Sequence, residues 1–553
     1  MGDICTGAYE CLEVFARSLE GKAGSIVVTD GDGQQHRYPA GDSHFRLRRI
    51  PLEKGSRYDV ALDNCRVSIC YLSGREDIME KGVRFLEWDQ GVWTETSDLG
   101  KWYQTPNREQ YHFCPYKNWI NDPNGLCWYK GYYHMYYQAN PHSQQWDQMY
   151  WGHAVSRDCV HWVHLPYALQ PQEELLDSED GKGGAFSGSA VVLNDKIRFY
   201  LTRHIGPPED SEEETRQYQT MVESGDSIHF GEEKRIIEKP DETFSFNFRD
   251  PKVIWHEGCW QMVIGTRVDN IPSVALYQSG DGVHWDYHSL LLEEKTEGIY
   301  TFECPDLFSL DGCMVVTGAW MFYSDEQRRY QPTYYYIGSY HNGKFEAEQK
   351  GLYDFAGNFY AVQSFEHDGR RIAIGWVSDF YNEHCPEING ANGSMTIPRE
   401  LRIRKGRFYQ KPIKEIYQMK GKCYCSVHRQ DISLKHLNRN SYYAAIEFSS
   451  DTDFDILLGK EADAEIRVAR KEKELRIVTQ GVKSHYVHFV TSLEKLEKLE
   501  IFVDHRLIEV YANDGEKVGT KIFYHEKDGI FQAHFDTEES VELVEIYEMK
   551  GIW

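Results

Sequence analysis

The chain has 553 residues, 41% of them hydrophobic and 14% aromatic, enough to bury several cores and to exclude a disordered or fibrous protein. At about 150 residues per domain, that length predicts two to four domains. Lys and Arg total 61 against 87 Asp and Glu, a formal net charge of −26; such a surface repels phosphate backbones and anionic membranes, so neither nucleic acid nor a membrane is expected as a partner.

The opening stretch, MGDICTGAYECLEVFARSLEG, has no basic start and no apolar run of signal-peptide length. Nowhere does an apolar run reach the ~18 residues of a membrane span. The 13 cysteines are scattered singly, with no C-x-x-C pair, which reads as free thiols in a reducing cytoplasm. The 37 Tyr, 26 Phe and 14 Trp favour β-structure and offer flat faces on which sugar rings stack.

In chain order, residues 1–105 read as short strands between turn clusters (TDGDGQQ, LEKGSRYD, SGRED), a small N-terminal β domain. Over 106–418 a turn dipeptide followed by an aromatic or β-branched strand recurs about every 60 residues. The five dipeptides are Lys130-Gly131, Asn194-Asp195, Glu257-Gly258, Asp311-Gly312 and Asp368-Gly369. A second repeat runs in step with the first: Ser156–Trp162, Ser224–Phe230 and Ser279–Trp285, each of the form S-x-D-x-x-H-[WF]. Two repeats in phase predict a five-bladed β-propeller. Residues 425–553 alternate (YAAIEFSS, LEIFVDHRLIEVYAND, KIFYHEKDGIFQAHF) around an Asn513-Asp514-Gly515 turn, predicting a C-terminal β-sandwich. LEKLEKLE at 493–500 reads as a short helix or a charged edge. The fold class expected is all-β.

The innermost strands of a propeller line one funnel, so residues at equivalent blade positions meet in space. Just ahead of the hairpin turns stand WINDPNG with Asp122, FSGS with Ser187, FRDP with Asp250, FECPD with Glu303, and Asp354 with Phe359-Tyr360-Ala361. Three blades thus present an acid in phase. Taken alone, an Asp before Pro is more simply a turn former; it is the shared phase of Asp122, Asp250 and Glu303 that points to converging carboxylates, as glycoside cleavage requires. His134, His153, His161 and His164 make no metal-ligand pattern and read as structural.

From Trp119 to Pro171 the sequence resembles glycoside hydrolase family 32, the invertase and β-fructosidase family, through WINDPNG, YYQANP and YWGHAVSRDCVHWVHLPYALQP, followed in order by FSGS, FRDPK, ECPDLF and IPREL. The resemblance is dense over the propeller, moderate in the C-terminal part through IFVDHRLIEVYANDGE, and absent from the first 105 residues. It implies a five-bladed propeller with a C-terminal β-sandwich, Asp122 as nucleophile, Glu303 as general acid/base and Asp250 as transition-state stabiliser. A covalent, retaining mechanism follows, with a depressed pKa expected at Asp122.

The resemblance further implies fructose contacts at Asn121, Gln138, Trp146, Ser187, Arg249 and Asp250. Trp146, Phe186 and Trp376 would make an apolar wall, with blade packing an equal alternative for Trp376. Asp354 would add a sugar contact or serve a turn. Two departures stand out. Ile120 replaces the usual Met, and the run Gly375–Phe380 lacks a second Trp, which alters the leaving-group side.

The activity implied is release of terminal fructose from sucrose or short fructooligosaccharides, a small-molecule carbohydrate substrate, with no metal or organic cofactor. A fructosyltransferase using the same intermediate, and a non-catalytic sugar-binding propeller, are the alternatives. A homo-oligomer built through the N- or C-terminal β domain is a further expectation.

Overall fold

The computed structural model describes residues 2–89, 91–96, 98–105, 108–178, 181–207, 215–378, 380–381, 390–460, 464–481, 487–523 and 529–553. Asp379, in the run that differs from the family's, lies outside them. Almost all regular structure is β-strand. Among the described residues no helix is long and apolar enough to cross a membrane.

Five four-stranded antiparallel blades follow one another in the chain. Their innermost strands are Asn118–Tyr129, Lys182–Leu193, Phe244–His256, Phe302–Leu310 and Tyr360–His367. Each packs on the next and the fifth returns to the first, which closes the ring. All five predicted turn dipeptides join the first and second strands of a blade, with both residues at positive φ. That conformation matches the twist of the strands it joins, and it explains why Gly, Asn and Asp recur there. The second repeat also has one structural meaning. In each copy the Asp carboxylate accepts from the His backbone N–H and bonds the His ring (Asp158–His161, Asp226–His229, Asp281–His284), making a closed turn before the outer strand.

The C-terminal region is a sandwich of two six-stranded sheets around one aliphatic and aromatic core. The LEKLEKLE segment is neither helix nor edge. Lys498–Asp504 is an interior strand between Ser441–Phe448 and Leu507–Ala512, and Leu493, Leu496 and Leu499 are all buried. The three-residue leucine spacing fits either period, and strand partners decide it.

The propeller and the sandwich are joined by a buried charge network. Asp504 accepts the backbone N–H groups of Gln110, Tyr111 and His112 at 2.7–3.0 Å and bonds His112 Nδ1 at 2.8 Å. His112 Nε2 meets Glu509 at 3.0 Å, and Glu509 pairs with Arg399 at 2.7 Å.

The N-terminal strands make a four-stranded and a five-stranded sheet over their own core. This unit packs against blade I. Phe45 stacks on His142 at 4.5 Å, Ser68 Oγ bonds His142 Nδ1 at 2.8 Å, and Tyr150 donates to the Phe45 carbonyl at 3.2 Å. It therefore backs the segment, residues 141–147, that carries Trp146.

Candidate active site

Every innermost strand breaks register at the same level. The ladder slips between Ile120 and Pro123, Ala185 and Gly188, Arg249 and Lys252, Glu303 and Asp306, and Tyr360 and Gln363. A β-bulge of this kind adds a residue, sharpens the twist and re-aims a side chain. Asp250, Cys304 and Ala361 consequently hold positive φ angles of 63°, 48° and 51°. Pro251 and Pro305 sit inside the slips, where no ladder N–H is required. The Asp-Pro pairs are thus bulges within continuous strands and not turns.

The five bulges bring one residue group together. Asp122 Oδ2 accepts from Ser187 Oγ at 2.5 Å and from Cys304 Sγ at 3.4 Å, and its Oδ1 accepts from Asn121 Nδ2 at 3.1 Å. Asn121 is fixed in turn by Trp119 Nε1 at 2.8 Å. Asp250 is buried; its carboxylate accepts the Cys304 N–H at 2.8 Å and its own N–H donates to Thr202 Oγ1 at 2.9 Å. Arg249 Nη1 lies 3.2 Å from Glu303 Oε1, and the Tyr360 hydroxyl donates to Glu303 Oε2. Each carboxylate is therefore clamped by donors from a neighbouring blade.

Burial pushes the Asp122 pKa upward, with the Glu303 charge adding to it and the Ser187 bond opposing it. The depressed pKa expected at Asp122 is thus reversed in direction, because desolvation outweighs the donors. Asp250 is pushed up to about 7 by burial and then by the negative charge of Glu303, against the pull of Arg249.

Two family models cover the propeller and the sandwich. The glycosyl hydrolases family 32 N-terminal domain matches residues 112–412, and the family 32 C-terminal domain matches 419–548. The chain belongs to glycoside hydrolase family 32. A family 32 structure from Bifidobacterium adolescentis is similar over 100% of this chain and 99% of its own, with a TM-score of 0.92 and 31% identity. The sucrose-6-phosphate hydrolase of Escherichia coli is 32% identical over 75% of this chain and 88% of its own length. The levanase of Bacillus subtilis is 29% identical over 82% and 72%.

In this family 32 site the remaining expected residues divide into three groups. Phe186 stacks flat on His204 at 4.2 Å and meets Trp146 edge-on at 6.0 Å, and Trp146 is 42% exposed at the mouth. Trp376 is buried among Cys304, Tyr360 and Ala361 and meets Trp119 at 5.6 Å, so it wedges blade V against the acid cluster. Gln138 is buried and donates to the Ala185 carbonyl at 2.8 Å, tying blade I to the strand that presents Ser187.

Asp354 is not part of this cluster. Its oxygens accept from Thr520 N at 2.9 Å, Thr520 Oγ1 at 2.7 Å, Ala356 N at 3.0 Å and Arg399 at 3.2 Å. Its position in the sequence, ahead of the fifth inner strand, suggested a sugar contact or a turn. The sandwich supplies the partners that draw it into the domain junction instead.

Tyr360, Cys304, Thr202 and His204 contact the acids or Phe186, and motif reading left them without a role. Tyr360 carried a usable signal, since it starts the fifth inner strand at the phase of Glu303 in the fourth. Among the described residues, no group of three or more His, Cys, Asp or Glu is placed to hold a metal ion.

Proposed function

We propose that this family 32 hydrolase releases terminal β-D-fructofuranosyl units from sucrose and short fructooligosaccharides, through a covalent fructosyl-enzyme and with retention of configuration. The observation that carries the reading is the clamped pair. Asp122 has one oxygen fixed by Ser187 and Cys304, and Glu303 has both oxygens fixed by Arg249 and Tyr360. Asp122 attacks the anomeric carbon of the fructosyl unit while Glu303 gives its proton to the departing glycosidic oxygen; water, deprotonated by Glu303, then cleaves the ester. Arg249 and Asp250 hold ring hydroxyls, and Asp250 spreads negative charge toward the cationic transition state. The twelve cysteines among the described residues are free thiols, which supports work in a reducing compartment such as the cytoplasm.

The test is glucose and fructose release from sucrose, 1-kestose and sucrose 6-phosphate, with Asp122→Asn as the control. Release by the wild type but not by the variant is expected, and NMR of the first product formed should show the β-anomer. Near wild-type turnover in both Asp122→Ala and Glu303→Ala overturns the assignment. Glucose well in excess of fructose assigns transfer in place of hydrolysis.

A further inference from the structure

On the reading above, Glu303 protonates the leaving sugar, so whatever lies outward of Glu303 meets the rest of the substrate. A hairpin spanning 320–332 of blade IV occupies that side. Its limbs are joined from Trp320 N to the Pro332 carbonyl at 3.1 Å, from Gln331 N to the Tyr323 carbonyl at 2.7 Å, and from Asp325 N to the Arg329 carbonyl at 3.2 Å. Gln327 holds Val490 of the sandwich in both directions, accepting at 2.7 Å and donating at 3.2 Å, and Arg329 adds a bond to the same carbonyl at 2.9 Å. The hairpin is thus a fixed wall.

One limb carries Tyr330, which meets Phe380 edge-on at 5.7 Å; Phe380 meets Tyr360 at 4.9 Å, and Tyr360 bonds Glu303. The other limb extends the ladder that holds Glu303, through Tyr300 N to the Met321 carbonyl at 3.0 Å and Met321 N to the Thr301 carbonyl at 3.1 Å. It carries Phe322, which is 55% exposed and has a φ of 56°. A bulky side chain in the left-handed region is an outlier that persists only where its surroundings enforce it. Here buried Gln331 does so, accepting the Phe322 N–H at 3.0 Å. Phe322 lies 5.4 Å from Tyr300, and the Arg267 guanidinium covers the Tyr300 ring at 4.6 Å. The fold therefore holds a strained backbone position that keeps an aromatic face exposed on the hairpin continuing the ladder of the Glu303 strand.

We infer that Tyr330 and Phe322, the latter backed by Tyr300 and Arg267, form a leaving-side track that stacks the second and third sugar rings of a fructooligosaccharide. The inference rests on the fructose-releasing reading and extends it to chain length. Aromatic faces gain from the C–H faces of sugars irrespective of linkage, while Arg267 donates to hydroxyls beyond them.

The experiment is kcat/KM for sucrose, 1-kestose and nystose in the wild type, Phe322→Ala and Phe322→Trp. Phe322→Ala should lower kcat/KM for nystose about five- to tenfold and leave sucrose within about twofold, because a disaccharide ends short of Phe322. Phe322→Trp, which keeps a stacking face, should retain the nystose rate. An equal fall on all three substrates, or no fall on any in folded Phe322→Ala, overturns the track while leaving fructose release intact. A wild type that releases no fructose from any of the three refutes the reading beneath it, and the track with it.

Discussion

Tyr360→Phe removes one atom and tests how the acid is held. The ring keeps its packing against Phe380 at 4.9 Å and Trp376 at 6.3 Å, and only the hydroxyl that donates to Glu303 Oε2 is lost. That bond matters most when Glu303 gives up its proton, because a carboxylate with full charge then forms in a site already crowded by Asp122 and Asp250. A hydrogen bond to a charged group is worth about 1.5–3 kcal/mol, which converts to a loss of about 10- to 150-fold. The loss should fall on kcat with KM nearly unchanged, since Tyr360 grips the acid and not the fructosyl unit. The assay is initial-rate sucrose hydrolysis, with thermal unfolding confirming that the variant folds. Activity within about twofold of wild type, or a change confined to KM, would refute the positioning role.

The junction titrates in the alkaline direction. Burial alone would lower the His112 pKa, but the hydrogen bonds its ring donates to the carboxylates of Asp504 and Glu509 raise it from 6.5 to about 9. A raised folded-state pKa gives stability that is full below about 6.5 and lost as pH rises through about 9. The unfolding free energy of the wild type should therefore fall across that window by an amount on the order of 3 kcal/mol, seen as a falling Tm, and His112→Gln should flatten the fall; a flat wild-type profile contradicts this. Asp250, pushed up to about 7, favours its protonated form in the folded state, so its contribution is full at low pH and disappears as pH rises through 7. Asp250→Asn should thus raise Tm at pH 8 but not at pH 4, while abolishing turnover; an equal Tm shift at both pH values would rule out this titration. Asp354→Asn weakens a buried ion pair with Arg399, and breaking such pairs costs about 3–5 kcal/mol. A lower Tm with unchanged KM for sucrose is expected, and a raised KM at unchanged Tm would return Asp354 to the sugar pocket.

Blade number was legible in the sequence because it is written in local backbone chemistry. Lys130-Gly131 and its four counterparts adopt left-handed turns for reasons internal to two residues, and their phase carried the convergence of Asp122, Asp250 and Glu303 along with it. The N-terminal and C-terminal β regions were legible for the same reason, as alternating runs between turns. What the sequence left open depended on partners far along the chain. Asp354 goes to the junction because Arg399 and Thr520, 45 and 166 residues away, reach it there. LEKLEKLE ends in an interior strand because Ser441–Phe448 and Leu507–Ala512 flank it. The Tyr360 bond to Glu303 and the upward shift at Asp122 exist only once the blades close, since each arises from groups on different blades sharing one dry space. Local turn chemistry set the number and order of the blades; ring closure decided which side chains face each other and what burial does to their protons.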